Sequence, residues 1–107
     1  QVRRVAGRAP LIEGAVLFAD HYGNLQTNIS AALVDSLGAT IGDKLRVEIG
    51  GETLRVPFVR TYGDVGEGEA LIFTASTGRL ELALNQESAA AFFDVQPGDR
   101  VRVSRGR

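Results

Sequence analysis

Cysteine is absent from this 107-residue chain, and so is methionine. Without a thiol there is neither a disulfide framework nor a thiolate metal site, which fits a reducing compartment and makes the cytoplasm the expected location. His21 is the single histidine. That excludes a metal-binding histidine pair and leaves no obvious charge-relay set, so neither a metal nor a resident cofactor is expected. No apolar run approaches the ~20 residues of a membrane span, and no signal-peptide pattern opens the chain, so no membrane partner is expected either. The glycines of 63–68 are not followed by Gly-Lys-Ser/Thr, which excludes a phosphate loop of that kind.

Charge is present but segregated. Segments 1–10 and 100–107 hold Arg3, Arg4, Arg8, Arg100, Arg102, Arg105 and Arg107 with no acid, whereas residues 11–99 carry five bases against all 13 acids, a net of −8. An acidic body is a poor platform for phosphates, so no nucleic-acid partner is expected. The plain reading of the basic ends is solvated tails. A chain that begins Gln1-Val2-Arg3-Arg4 and lacks methionine reads as a fragment, and its length suits one domain.

Thirteen glycines punctuate short apolar runs, a spacing that predicts a sandwich or small barrel rather than a βαβ repeat. Ala15–Ala19 reads as a buried strand ending at Asp20, and Leu25–Ile29 as an extended segment. Ser30 is placed to cap a short helix with Leu33, Val34 and Leu37 on one face and Gly38 at its C-terminal end. Leu45, Val47 and Ile49, then Leu54, Val56 and Phe58, alternate with polar residues on either side of Gly50-Gly51, which is a hairpin signal. Pro57 lacks an amide proton and marks an edge or a strand end. Residues 62–69 form a polar, glycine-rich loop. Leu71–Ala75 and Leu80–Leu84 read as strands about Ser76-Thr77-Gly78, Ser88–Phe93 as a helical turn, and Pro97-Gly98-Asp99 as a turn into Val101–Val103. The fold class is mainly all-β, a small antiparallel barrel or sandwich with one or two short helices.

Three loops could carry chemistry. The first runs Asp20-His21-Tyr22-Gly23-Asn24-Leu25-Gln26-Thr27-Asn28-Ile29. It sets a carboxylate, an aromatic ring and amides beside a glycine. From spacing alone the favoured reading is a turn whose Asp and Asn side chains bond their own backbone. The second follows Tyr62, and the third joins Ser76-Thr77-Gly78 to Asn85-Gln86-Glu87-Ser88. A mobile surface loop and a turn with a helix cap are the plain alternatives there. Together the loops hold two aromatic faces, amide edges and a carboxylate, an inventory that fits a nucleoside carrying an amino-acid arm.

In that order the loops resemble one family, the C-terminal domain of the S-adenosylmethionine (SAM) hydroxide adenosyltransferases, related to the fluorinase and chlorinase. The resemblance rests on Asp20-x-Tyr-Gly-Asn-Leu-x-Thr-Asn-Ile, Tyr62-x-Asp-Val-x-x-Gly, Ser76-Thr-Gly-Arg-Leu-Glu-Leu-Ala-Leu-Asn and Ser88-Ala-Ala, from about Gly14 to Val103. It implies that residues 1–13 link to an N-terminal domain, that 14–104 form a substrate-binding β-barrel, and that 105–107 are a tail. It also implies displacement of methionine from the ribose C5′ of SAM by hydroxide, giving adenosine, or by halide, giving a 5′-halo-5′-deoxyadenosine. The N-terminal domain chooses the nucleophile; water is always available, and the hydrolases are the common members. The implied assembly is a homotrimer in which a neighbour's N-terminal domain completes each site, so this chain alone is expected to be inactive and to hold no catalytic residue.

Carried over residue by residue, Asp20 would hold the methionine ammonium and Asn24 the adenine edge, assisted by the backbone near Asn85 and Gln86. Tyr22 and Tyr62 would flank the adenine, and Ser76 with Thr77 would hold the amino-acid end. Thr77 stands where an arginine fits fluorinase-like members, and Glu87 where a glycine is common. A non-catalytic barrel that binds protein or nucleic acid is the competing reading, favoured by the basic ends and opposed by the acidic body.

Overall fold

The computed structural model describes residues 2–5 and 11–105. The chain folds as β1 (Arg3–Val5), β2 (Leu11–Ala19), β3 (Leu25–Ser30), α1 (Ala31–Ser36), β4 (Lys44–Ile49), β5 (Glu52–Pro57), β6 (Ala70–Thr74), β7 (Arg79–Leu84), α2 (Ala89–Phe93) and β8 (Arg100–Ser104). Every strand pairing is antiparallel, in the order β5-β4-β8-β2-β3-β7-β6, with β1 beside β2. The ends of this path nearly meet. The Val59 amide donates to the Ile72 carbonyl at 2.9 Å, beside a parallel bridge between Phe58 and Ile72. Of the expected antiparallel barrel or sandwich with one or two short helices, a nearly closed barrel with two is what forms.

Local chemistry accounts for the elements. Gly50 and Gly51 adopt φ +59° and +78°, the left-handed pair that a two-residue hairpin turn requires, and Ile49 and Glu52 pair across it. Pro57 ends β5 at the path's edge, where no ladder amide is needed. Ser30 Oγ accepts from the Leu33 amide at 3.3 Å, and Ser88 Oγ from the Ala91 amide at 3.1 Å, so both helices carry their side-chain caps. Inward residues of every long strand, among them Ile12, Val16, Leu25, Ile29, Leu45, Val47, Leu80, Leu82 and Val103, fill one core. A second, smaller cluster of Val59, Leu71 and Ala83 lies on the outer face of β6 and β7, with Tyr62, Val65 and Phe73 packed against it.

Three expectations change. The strand read as Ala15–Ala19 begins at Leu11, and its last part is not buried: Leu17 and Phe18 are 40% and 44% exposed, because a register shift between Val16 and Phe18 turns the end of β2 outward. The stretch expected as a linker is partly strand, since Arg3–Val5 pairs with Leu11–Glu13. The basic C-terminal segment is no solvated tail. Arg102 Nε meets Glu13 Oε2 at 2.8 Å, Arg100 Nε approaches the same oxygen at 3.5 Å, and Arg105 Nη2 lies 3.8 Å from Asp43. Arg8 and Arg107 lie outside the described residues.

Candidate functional site

The loop between β2 and β3 is built on one carboxylate. Asp20 Oδ1 accepts from the Tyr22 amide at 2.8 Å and the Asn24 amide at 3.0 Å, while Asp20 and Asn24 also pair through the backbone at 2.9 Å. Asp20 thus makes the expected side-chain-to-backbone turn, whereas the Asn24 side chain bonds other side chains instead of the backbone. Asp20 Oδ2 accepts from Asn24 Nδ2 at 3.2 Å. A carboxylate only accepts, so the Asn24 amide must face it with its nitrogen. The same nitrogen donates to the Tyr62 hydroxyl, which leaves Asn24 Oδ1 as the acceptor it has to offer.

Most of the Gly-Asn-Leu-x-Thr-Asn-Ile run serves architecture. Leu25 and Ile29 are core residues. Thr27 Oγ1 donates to the Leu80 carbonyl at 2.8 Å, and Asn28 Oδ1 accepts from the Ala15 amide at 2.9 Å. Gly23 has φ +84°, and a Cβ there would stand 2.1 Å from Ser88 Oγ and 2.9 Å from Ser88 Cα. That close approach locks the start of α2 against the loop, reinforced by the Ala90 amide donating to the Gly23 carbonyl at 2.9 Å. Asn24, 6% exposed, lines a cavity.

That cavity, of about 490 Å³, is lined by Tyr22, Asn24, Tyr62, Leu84, Asn85, Gln86, Glu87 and Ser88. It is the size of a small-ligand site. Its floor is the turn after β7, closed by the Glu87 amide on the Leu84 carbonyl at 3.2 Å, with Gln86 at φ +65°. Asn85 ties the 62–69 loop to the barrel: its Nδ2 donates to the Val65 carbonyl at 3.1 Å, and its backbone pairs with Gly68 and Glu69. Tyr62 leans on Phe73 with centroids 5.4 Å apart, whereas Tyr22 is 75% exposed and meets His21 edge-on. Burial, then the charges of Glu81 and Asp20, push the Tyr62 hydroxyl above its ordinary range against the hydrogen bond from Asn24, so at neutral pH it stays a neutral phenol.

Five of the eight residues expected at the site, Tyr22, Asn24, Tyr62, Asn85 and Gln86, thus line one cavity, and Asp20 stands behind Asn24. Ser76 and Thr77 do not line it. They occupy the turn before β7, whereas the cavity is lined by Leu84 at the end of that strand and by the turn that follows it. A ligand touching both would run along the outer face of β7. Glu81 lies on that face, opposite Gln26 of β3 and Phe73 of β6. Sequence reasoning passed over Glu81, although the inward alternation of Leu80, Leu82 and Leu84 already turns it outward.

A family model described as the SAM hydroxide adenosyltransferase C-terminal domain matches residues 14–102. Among similar proteins, an (R)-S-adenosyl-L-methionine hydrolase of Salinispora tropica is 43% identical over 93 residues, 85% of this chain and 32% of that protein. A fluorinase of Nocardia brasiliensis is 36% identical over 96 residues, 87% of this chain and 32% of that protein. The crystal structure of an uncharacterized conserved protein from Thermotoga maritima superposes with a TM-score of 0.87 at 30% identity, covering 98% of this chain and 39% of that one. The chain spans about a third of the length of the curated relatives it matches.

Proposed function

The chain belongs to the family of SAM hydroxide adenosyltransferase C-terminal domains, and on that footing we propose that it is the SAM-holding part of an adenosine-forming SAM hydrolase. The observation that carries the reading is the cavity on the family's own motif, where Asp20 orients Asn24 and Asn24 meets Tyr62. Adenine suits it: Asn24 Oδ1 can accept from the exocyclic amine, and the tyrosine rings offer stacking faces. Ser76 and Thr77, with Asp20, would take the amino-acid end, and SAM enters as substrate rather than cofactor.

In the reaction, the oxygen of water or hydroxide forms a bond to ribose C5′ as the C5′–S bond breaks. The bonding pair returns to sulfur, methionine leaves as a neutral thioether, and the attacking water gives up a proton. This chain's part is to fix the base and the sulfur so that C5′ lies in line with the nucleophile. The groups that position that nucleophile would come from the N-terminal domain that the relatives' greater length accommodates, supplied by a neighbour in a cytoplasmic homotrimer. The open side of Tyr22 supports a site completed from outside the chain.

The test is to incubate the complete protein with SAM, the (R) and (S) sulfonium forms separately, with and without chloride, and to identify the nucleoside by mass spectrometry. Adenosine in every productive sample supports the hydrolase. A 5′-chloro product would move the protein to the halogenase branch, for which the fluorinase relative is the supporting likeness. No turnover and no SAM binding would return it to a plain binding barrel.

A further inference from the structure

The outer face of β3 and β7, between the cavity and the Ser76–Thr77 turn, carries Glu81 in its middle and Arg79 beside the turn. Gln26, 9% exposed, donates through Nε2 to Glu81 Oε2 at 3.0 Å and so holds that carboxylate in place. Asn24 links Asp20 to Tyr62 by hydrogen bonds, and Tyr62 packs on Phe73, the residue opposite Glu81 on β6, which puts the three groups in one neighbourhood. Among the described residues, neither Asp20 nor Glu81 forms an ion pair, even though Arg79 stands two residues away on the same strand. Burial, and then Asp20, push the Glu81 carboxyl above its ordinary range despite the bond from Gln26. A neutral residue would be less costly on this face. Glu81 is an expense to the fold that a bound cation would remove.

We propose that Glu81, held by Gln26 and reinforced by Asp20, supplies the counter-charge for a cationic centre in the ligand, so that the site selects an adenosyl sulfonium over the corresponding neutral thioether. The inference rests on the reading of the cavity as a SAM site. It adds a residue and a basis of selection: a ligand with its base beside Asn24 and its tail directed toward Ser76 and Thr77 must pass Glu81, and the group it carries between base and tail is the sulfonium. Loss of methyl or adenosyl from that sulfur abolishes its charge, so the same carboxylate favours substrate over spent thioether.

Two unreactive ligands isolate the charge. Sinefungin carries a protonated amine in place of the sulfonium methyl, and S-adenosylhomocysteine is neutral at that position. Dissociation constants for both are measured by calorimetry on the complete protein and on Glu81→Gln, which keeps the side-chain length and an acceptor for Gln26. The wild type should prefer sinefungin. Glu81→Gln should weaken sinefungin by roughly tenfold and leave S-adenosylhomocysteine within about twofold, and Glu81→Asp should restore most of the preference. An unchanged ratio in Glu81→Gln, or equal losses for both ligands, would overturn the role of Glu81 while leaving the cavity reading intact. Failure of the wild type to bind either ligand would overturn both.

Discussion

Glu13 and Glu81 occupy similar places on opposite halves of the barrel, each an outward-facing carboxylate in the middle of a strand. Around Glu13 the sheet supplies cations: β8 brings Arg102 to 2.8 Å and Arg100 to 3.5 Å, and Arg102 also reaches Glu48 of β4 at 3.9 Å. The register makes this a row across three strands, since Glu48 and Glu13 both stand opposite Arg102. Around Glu81 the sheet supplies an amide, a phenol and the field of a second carboxylate. On the first half, Glu13 is neutralised where it stands. The second leaves its charge unanswered beside a cavity. Unpaired charge on the β3–β7 face therefore marks where this fold is built for a ligand rather than for its own stability.

The largest effect should come from breaking the paired side. Glu13→Ala removes the buried acceptor from two arginines and should lower unfolding free energy by about 2–3 kcal/mol. Denaturant titration reads the loss, and ligand affinity of the folded protein should not change. A fall in affinity as large as the fall in stability would mean that the two halves are coupled and the contrast is false.

Next come the residues at the cavity. Asn24→Ala and Tyr62→Ala should each weaken SAM binding by roughly tenfold to a hundredfold in the complete protein, about 1.4–2.8 kcal/mol, from a lost amide partner and a lost stacking face. Turnover should fall with affinity, because the in-line geometry is lost too. Tyr62→Phe separates the contributions, keeping the face and removing the acceptor of Asn24 Nδ2. Unchanged affinity in both alanine variants would remove these residues from the site.

How much of this was legible in the sequence follows from how local each cause is. The Gly50-Gly51 hairpin, the Ser30 and Ser88 caps and the Pro57 strand end are decided within a few residues, and each formed where the pattern placed it. The three loops were legible as an ordered set, and five of their residues do meet. What the sequence hid was distance. Ser76 and Asn85 are close in sequence, yet they stand at opposite ends of β7, whereas Asn24 and Tyr62, 38 residues apart, share a hydrogen bond. The pairing of Arg102 with Glu13 spans 89 residues, so the basic C-terminal segment resembled a tail until the register brought β8 beside β2. β1 is a strand through its partner rather than through any alternation of its own.

The smallest effect is the sharpest test of the contrast, because its sign is opposite to that of Glu13→Ala. Glu81 titrates above its ordinary value of 4.5 in the folded protein, chiefly through burial and then through Asp20. A carboxyl raised by folding binds its proton more readily in the fold than in the unfolded chain. Its favourable contribution is therefore complete below the unfolded value and is lost as pH rises through the folded one. Glu81→Gln removes that dependence. At pH 7 the variant should unfold at a slightly higher temperature than the wild type, and the gap should close as the pH falls toward 4.5. Thermal melts across that range read both features. If Glu81→Gln were instead less stable at neutral pH, Glu81 would have a partner that favours its charge, and it would belong with Glu13 among the groups that hold the barrel together rather than with those that wait for a ligand.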